Sequence, residues 1–146
     1  MHYIAIPKSE MVSLRMPRSI AERLERAARR SGQSRSSLVH RYVDEGLRRD
    51  RHPRITFKDG PAGRRAALIG GPDIWELVSF VNDLDARGER AVEQAARYLA
   101  LPVEDVRAGL AYAAEFPDEI RARIALNDEA AAEAEAAWQA QRDLLA

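Results

Sequence analysis

The chain contains no cysteine. That absence excludes a disulfide framework, a Cys-ligated zinc site and a thiol nucleophile. Histidine is scarce, and the three present, His2, His40 and His52, are scattered, so no clustered imidazole metal site is expected. No apolar run approaches the roughly 20 residues that span a bilayer. Residues 1–10 lack a basic flank followed by an apolar core, so the sequence carries no signal-peptide pattern. A cytoplasmic protein with no membrane partner is the expectation. Beyond Pro117 neither glycine nor proline occurs, which leaves the last segment free to be helical.

What is present is a chain of 146 residues, 46% apolar and 32% charged, the length of one ordinary domain or two small ones. The formal net charge is zero, yet residues 1–58 carry 14 Lys/Arg against 6 Asp/Glu, and residues 59–146 carry 9 against 17. The split suits a basic part that meets a polyanion and an acidic part that meets something else. It equally suits two surfaces that differ, or that attract each other.

The basic part has a short strand pattern and two helical ones. In M-V-S-L-R-M, Val12, Leu14 and Met16 fall on one side of a strand, and Met11, Ser13 and Arg15 on the other. After Pro17 a helix begins near Ser19. Ile20, Leu24, Ala27 and Ala28 recur at helical spacing, with Arg23, Arg26, Arg29 and Arg30 on the remaining surface. Ser31-Gly32 closes it, and Ser34 is a good N-cap for a second helix carrying Leu38, Val39, Tyr42, Val43 and Leu47. That helix ends around Arg48 to Arg51, before Pro53. One strand cannot form a sheet, and two short helices cannot bury those stripes alone. A second copy is the simplest partner, with strands paired antiparallel across a two-fold axis. Val12, Leu14, Met16, Leu24, Leu38, Tyr42, Val43 and Leu47 are then the expected dimer core.

Residues 11–49, with their strand, following proline and G-x-S-R-S turn, resemble a ribbon-helix-helix domain of the Arc/MetJ/CopG class. The resemblance implies a homodimer whose β ribbon enters the major groove of double-stranded operator DNA. It implies that Met11, Ser13 and Arg15 face the bases. Of these, Arg15 is the strongest candidate reader, because a guanidinium can bond O6 and N7 of guanine together. The start of the second helix offers backbone N–H groups to a phosphate, so Ser34, Arg35 and Ser36 are the expected backbone anchors. Higher assembly on repeated half-sites is compatible with the same arrangement.

The acidic part starts again after Pro53. Arg54–Lys58 and Arg65–Ile69 form short strand patterns around an Asp59-Gly60-Pro61 turn. Gly70-Gly71-Pro72 leads into a helix carrying Ile74, Leu77, Val78 and Val81; no Lys-Ser/Thr pair follows it, so it is a turn and not a phosphate cradle. A helix at Arg90–Leu99, a tight turn, and a further helix opened by Pro102 and closed before Pro117 have helix-turn-helix spacing. The last of these presents Glu104, Asp105 and Glu115, with Arg107 as its main positive residue, which argues against DNA and for a packing or protein-contact role. Residues 54–116, chiefly V-E-D-V-R-A-G-L-A-Y-A-A-E, resemble the domain of unknown function four-three-three. That likeness implies a kinship with VapB-type antitoxins, which pair with PIN-domain ribonuclease toxins. The family's G-T-R-I-P-like element is only G-G-P-D-I-W here.

After Pro117, Asp118 is the expected cap of a helix carrying Ile120 and Ile124, which runs into an acidic, alanine-rich tail. Trp138, Arg142 and Leu145 are candidate toxin contacts, since exposed aromatic and apolar side chains on a helix suit a partner groove. The expected fold is mainly α with a short β ribbon. It comprises an N-terminal arm (1–10), a ribbon-helix-helix domain (11–51), a small helix-turn-helix-like module with short strands (54–117) and a helical tail (118–146). The expected function is that of an antitoxin that represses its own operon and neutralises a PIN-like ribonuclease toxin. The alternative is a stand-alone regulator whose C-terminal module oligomerises or senses a ligand. No nucleophile–base constellation or metal spacing stands out, so neither an enzyme nor a cofactor is expected.

Overall fold

The computed structural model describes residues 8–146; most of the expected N-terminal arm, with His2, lies outside the described residues. The elements are α1 (Arg18–Ser31), α2 (Arg35–Arg51), β1 (Ile55–Lys58), β2 (Arg65–Leu68), α3 (Ile74–Asp83), α4 (Glu89–Tyr98), α5 (Val103–Glu115) and α6 (Pro117–Leu145). The chain divides into two compact units, Met1–Asp44 and Glu45–Ala146.

In the first unit, α1 stops where Gly32 takes the left-handed conformation at φ 66°, a geometry that glycine adopts without a Cβ penalty. Ser34 then accepts a hydrogen bond from the Ser37 backbone N–H at 3.1 Å, which satisfies one of the open donors of α2. Residues 8–17 form no ladder, although 11–16 has the alternation of a strand. The physical reason is that a β ladder needs a second strand, and the described residues of this unit hold no other.

The second unit is built on a β-hairpin and four helices. β1 and β2 pair antiparallel, with Ile55 opposite Leu68 and Lys58 opposite Arg65. Ile55, Leu68, Ile74, Leu77, Val106 and Tyr112 are fully buried and define the core between the hairpin and α3–α5. Helix α5 comes close to α3 at Gly109, where a Cβ would overlap the Leu77 side chain, so the absence of a side chain sets that approach.

Several local expectations shift. β1 starts at Ile55, not Arg54; β2 ends at Leu68, not Ile69; and α4 is Glu89–Tyr98, one residue earlier than expected. Pro102 is the N-cap of α5, one residue before its first helical position. Asp118 is not a cap, because Pro117 already occupies the first turn of α6 behind Phe116; Asp118 lies within that turn and pairs with Arg121 at 3.5 Å. α6 continues for 29 residues, and everything from 125 to 146 is exposed.

Candidate nucleic-acid interface

The expected base-facing residues Met11, Ser13 and Arg15 are all exposed. On the other side of the same segment, Val12 and Leu14 are 76% and 66% exposed, and Met16 is half-buried. Two hollows continue from them. One, of about 430 Å³, has an apolar side of Val12, Met16, Leu24 and Val39 and a polar side of Arg35, Ser36 and His40. The other, of about 470 Å³, lies between Met16, Ile20, Ala27, Tyr42 and Val43, with Arg23 and Arg30 at its rim. Of the expected dimer core, only Leu38 is fully buried within one chain; Leu24 is half-buried, and Tyr42, Val43 and Leu47 are exposed. A single copy therefore leaves open a contiguous apolar surface of the kind that marks an interaction face.

At the start of α2 the Ser34 hydroxyl is engaged with Ser37, through its backbone N–H and its Oγ at 3.0 Å. Arg35 and Ser36 are exposed at the open end of the helix, where the first N–H groups have no intrahelical acceptor. Arg35, itself largely exposed, sits 3.5 Å from half-buried Glu25, a pairing weak enough for a phosphate to compete with. Among the described residues Arg15, Arg23, Arg26 and Arg30 have no acidic partner, whereas Arg18 and Arg29 pair with Glu22 and Glu25 one turn away. If Arg35 holds a phosphate, Arg35→Ala weakens DNA binding evenly across sequences. The slope of log K against log salt should then fall by roughly one to two, for one contact per protomer, in a titration over several salt concentrations.

The basic excess of residues 1–58 is divided. Arg48, Arg51 and Arg54, all counted there, and His52 beside them turn to acids of the second unit. Arg48 donates to the Tyr112 hydroxyl at 2.7 Å and pairs with Glu119. Arg51 and His52 meet the two oxygens of Glu115 at 3.2 and 2.7 Å, and Arg54 meets Asp105. Burial works against the Arg48 charge, yet its bonds to Tyr112 and Glu119 outweigh that and push its pKa up. Burial likewise raises the Tyr112 phenol, which stays protonated and donates to Glu119 at 3.1 Å. Buried Glu45 takes both nitrogens of Arg64 in a forked pair. Tyr112→Phe removes one hydroxyl while Arg48 keeps Glu119, so thermal unfolding should show a loss of about 1–2 kcal/mol.

Such pairs extend to the helix-turn-helix-like α4 and α5. Asp105 and Glu115 are neutralised inside the unit, and Arg107, the basic residue of α5, is held by Glu89. α5 carries a single cation, Arg107, against the acids Glu104, Asp105 and Glu115, a balance unfavourable to a phosphate. The charge count alone could not separate basic residues that meet a polyanion from those that meet the chain's own carboxylates. The signal available was position: Arg48 and Arg51 lie in the last turn of α2, and Arg54 lies beyond it. Among the described residues no cluster of His, Asp and Glu could hold a metal ion, and no helix is long and apolar enough to cross a membrane.

Residues 10–50 match the family model described as ribbon-helix-helix protein, copG family. No curated protein and no solved structure matches the chain. The match stops before β1, and nothing found supports the likeness of residues 54–116 to the domain of unknown function four-three-three or to VapB-type antitoxins.

Proposed function

With a ribbon-helix-helix region at its N-terminus, we propose that this protein is a transcriptional repressor that binds operator DNA as a homodimer. Residues 11–16 of two copies pair into a ribbon, Met11, Ser13 and Arg15 face the bases, and Arg35 and Ser36 with the α2 N-terminus hold the phosphates. The observation that carries this reading is the arrangement around residues 11–16, where unpaired Arg15 is exposed on one side and open apolar Val12 and Leu14 on the other. A strand that buries Val12 and Leu14 against a second copy must present Arg15 outward, because its side chains alternate. The test is a titration against DNA from upstream of the gene, at low and physiological salt. Tight binding that prefers that fragment over a scrambled one supports the proposal, and indifference to sequence contradicts it.

The finer reading is an antitoxin, in which the C-terminal unit neutralises a PIN-like ribonuclease toxin through Trp138, Arg142 and Leu145. Support comes from the exposure of Trp138 and Leu145, with the Arg142 guanidinium stacked 4.8 Å from the Trp138 ring. Co-expression with a ribonuclease-like reading frame adjacent to the gene tests it: growth should be restored by the full chain and not by Trp138→Ala. The alternative is a stand-alone regulator whose C-terminal module oligomerises or senses a ligand.

A further inference from the structure

Helix α2 crosses the boundary between the two compact units: residues 35–44 fall in the first, and its last two turns, Glu45 to Arg51, in the second. Those two turns are poorly equipped to stay helical by themselves. Gly46 lies inside them, and an interior glycine disfavours a helix. Leu47 is their one large apolar side chain and is 63% exposed, and the only buried side chain is that of Glu45. A helix end with no packed apolar face opens readily. Groups of the second unit hold it instead. Glu45 takes two nitrogens of Arg64, one of them at 2.9 Å. Arg48 reaches Tyr112 and Glu119 and lies 4.0 Å over the Phe116 ring. Arg51 and, just past the helix end, His52 share Glu115. At 3.6 residues per turn Glu45 and Arg48 share one side of α2, and Leu47 with Val43 lies on the other.

We propose that these two turns are a coupling segment through which the C-terminal unit controls the pairing of two copies, and with it DNA binding. The second unit clamps the turns as helix, and only then do they carry Leu47 to the face that a second copy covers. The proposal rests on the homodimer reading above, in which Leu47 belongs to the dimer core. Glu45 is the centre of the clamp, because a buried carboxylate loses far more with its guanidinium partner than an exposed one does. Arg49, 3.7 Å from the same carboxylate and half-exposed, adds little. Any event in the second unit that frees Glu45 or Arg48 lets the turns open, and the dimer weakens with them. The coupling is reciprocal: a second copy that covers Leu47 also favours the clamped helix.

Amide hydrogen exchange at residues 48–51 and sedimentation of the full chain read the clamp without DNA. Glu45→Gln, nearly isosteric, should speed that exchange at least about 10-fold and weaken the dimer about 10-fold, with operator affinity following. Adding Gly46→Ala should restore most of both losses, since a Cβ there meets nothing within 4 Å and strengthens the helix without the clamp. Leu77→Ala is the control: it weakens the same unit but leaves the pairs of α2, so below its midpoint exchange and dimer should be unchanged. If Glu45→Gln unfolds the whole unit by circular dichroism, Glu119→Gln replaces it, with a shift of about 3-fold in the same direction. Unchanged exchange, faster exchange with an unaffected dimer, no rescue by Gly46→Ala, or equal losses in Leu77→Ala would each overturn the proposal. A monomeric unaltered chain overturns it together with the homodimer reading. A dimer that responds as predicted yet binds no operator supports the clamp on dimer pairing and refutes the repressor reading alone.

Discussion

Leu14→Glu is expected to abolish operator binding while leaving the fold of the single chain intact. Leu14 is two-thirds exposed within one copy, so a carboxylate there costs the isolated chain little. In the paired ribbon the same position is covered by the second copy, and two carboxylates are then desolvated near the two-fold axis. The penalty of several kcal/mol falls wholly on dimer formation. Operator affinity should fall by at least about 100-fold, since each 1.4 kcal/mol is a factor of ten. Circular dichroism should show unchanged helix content. Loss of helix along with binding would instead place Leu14 in the core of the single chain.

The second large effect belongs to the other unit. Leu77 is fully buried among Ile74, Val106 and the α5 backbone at Gly109. Leu77→Ala removes three carbons and leaves a void that the β-hairpin and α5 cannot wholly close, at a cost of about 2–5 kcal/mol. For a unit of this size the thermal midpoint should drop on the order of 10–20 °C. Operator binding at low temperature should survive, because the residues proposed to contact DNA all lie in the first unit. A midpoint shift within a few degrees would show that the void collapses or that this core contributes little.

Much of the architecture was legible in the sequence because its punctuation is local. Gly32 ends α1, Ser34 caps α2, and the Asp59-Gly60-Pro61 turn and Gly70-Gly71-Pro72 bracket β2, each through a conformational preference of one or two residues. The expectations that shifted were those set by competition between neighbours. Asp118 is a good cap in isolation, but Pro117 with its fixed φ takes the first turn and carries the helix start two residues earlier. Long-range charge pairing was the least legible. Nothing local in Arg48 or Arg54 says that Glu119 and Asp105, more than 50 residues on, come to meet them. The same holds for the dimer face. Val12, Leu14, Tyr42 and Val43 mark themselves by pattern as interior residues, yet one copy leaves them outside. That mismatch between pattern and burial is the clearest functional signal in the chain.

The central claim is that Arg15 reads sequence from a ribbon made by two copies. The most direct measurement is the affinity of Arg15→Ala beside the unaltered chain, each titrated against the cognate operator and a scrambled duplex at two salt concentrations. The account predicts that Arg15→Ala loses about 1–3 kcal/mol on the operator, about 5- to 150-fold, with little change on the scrambled duplex, so that preference narrows while salt-sensitive binding persists. An equal loss on both duplexes, or none on either, would contradict it.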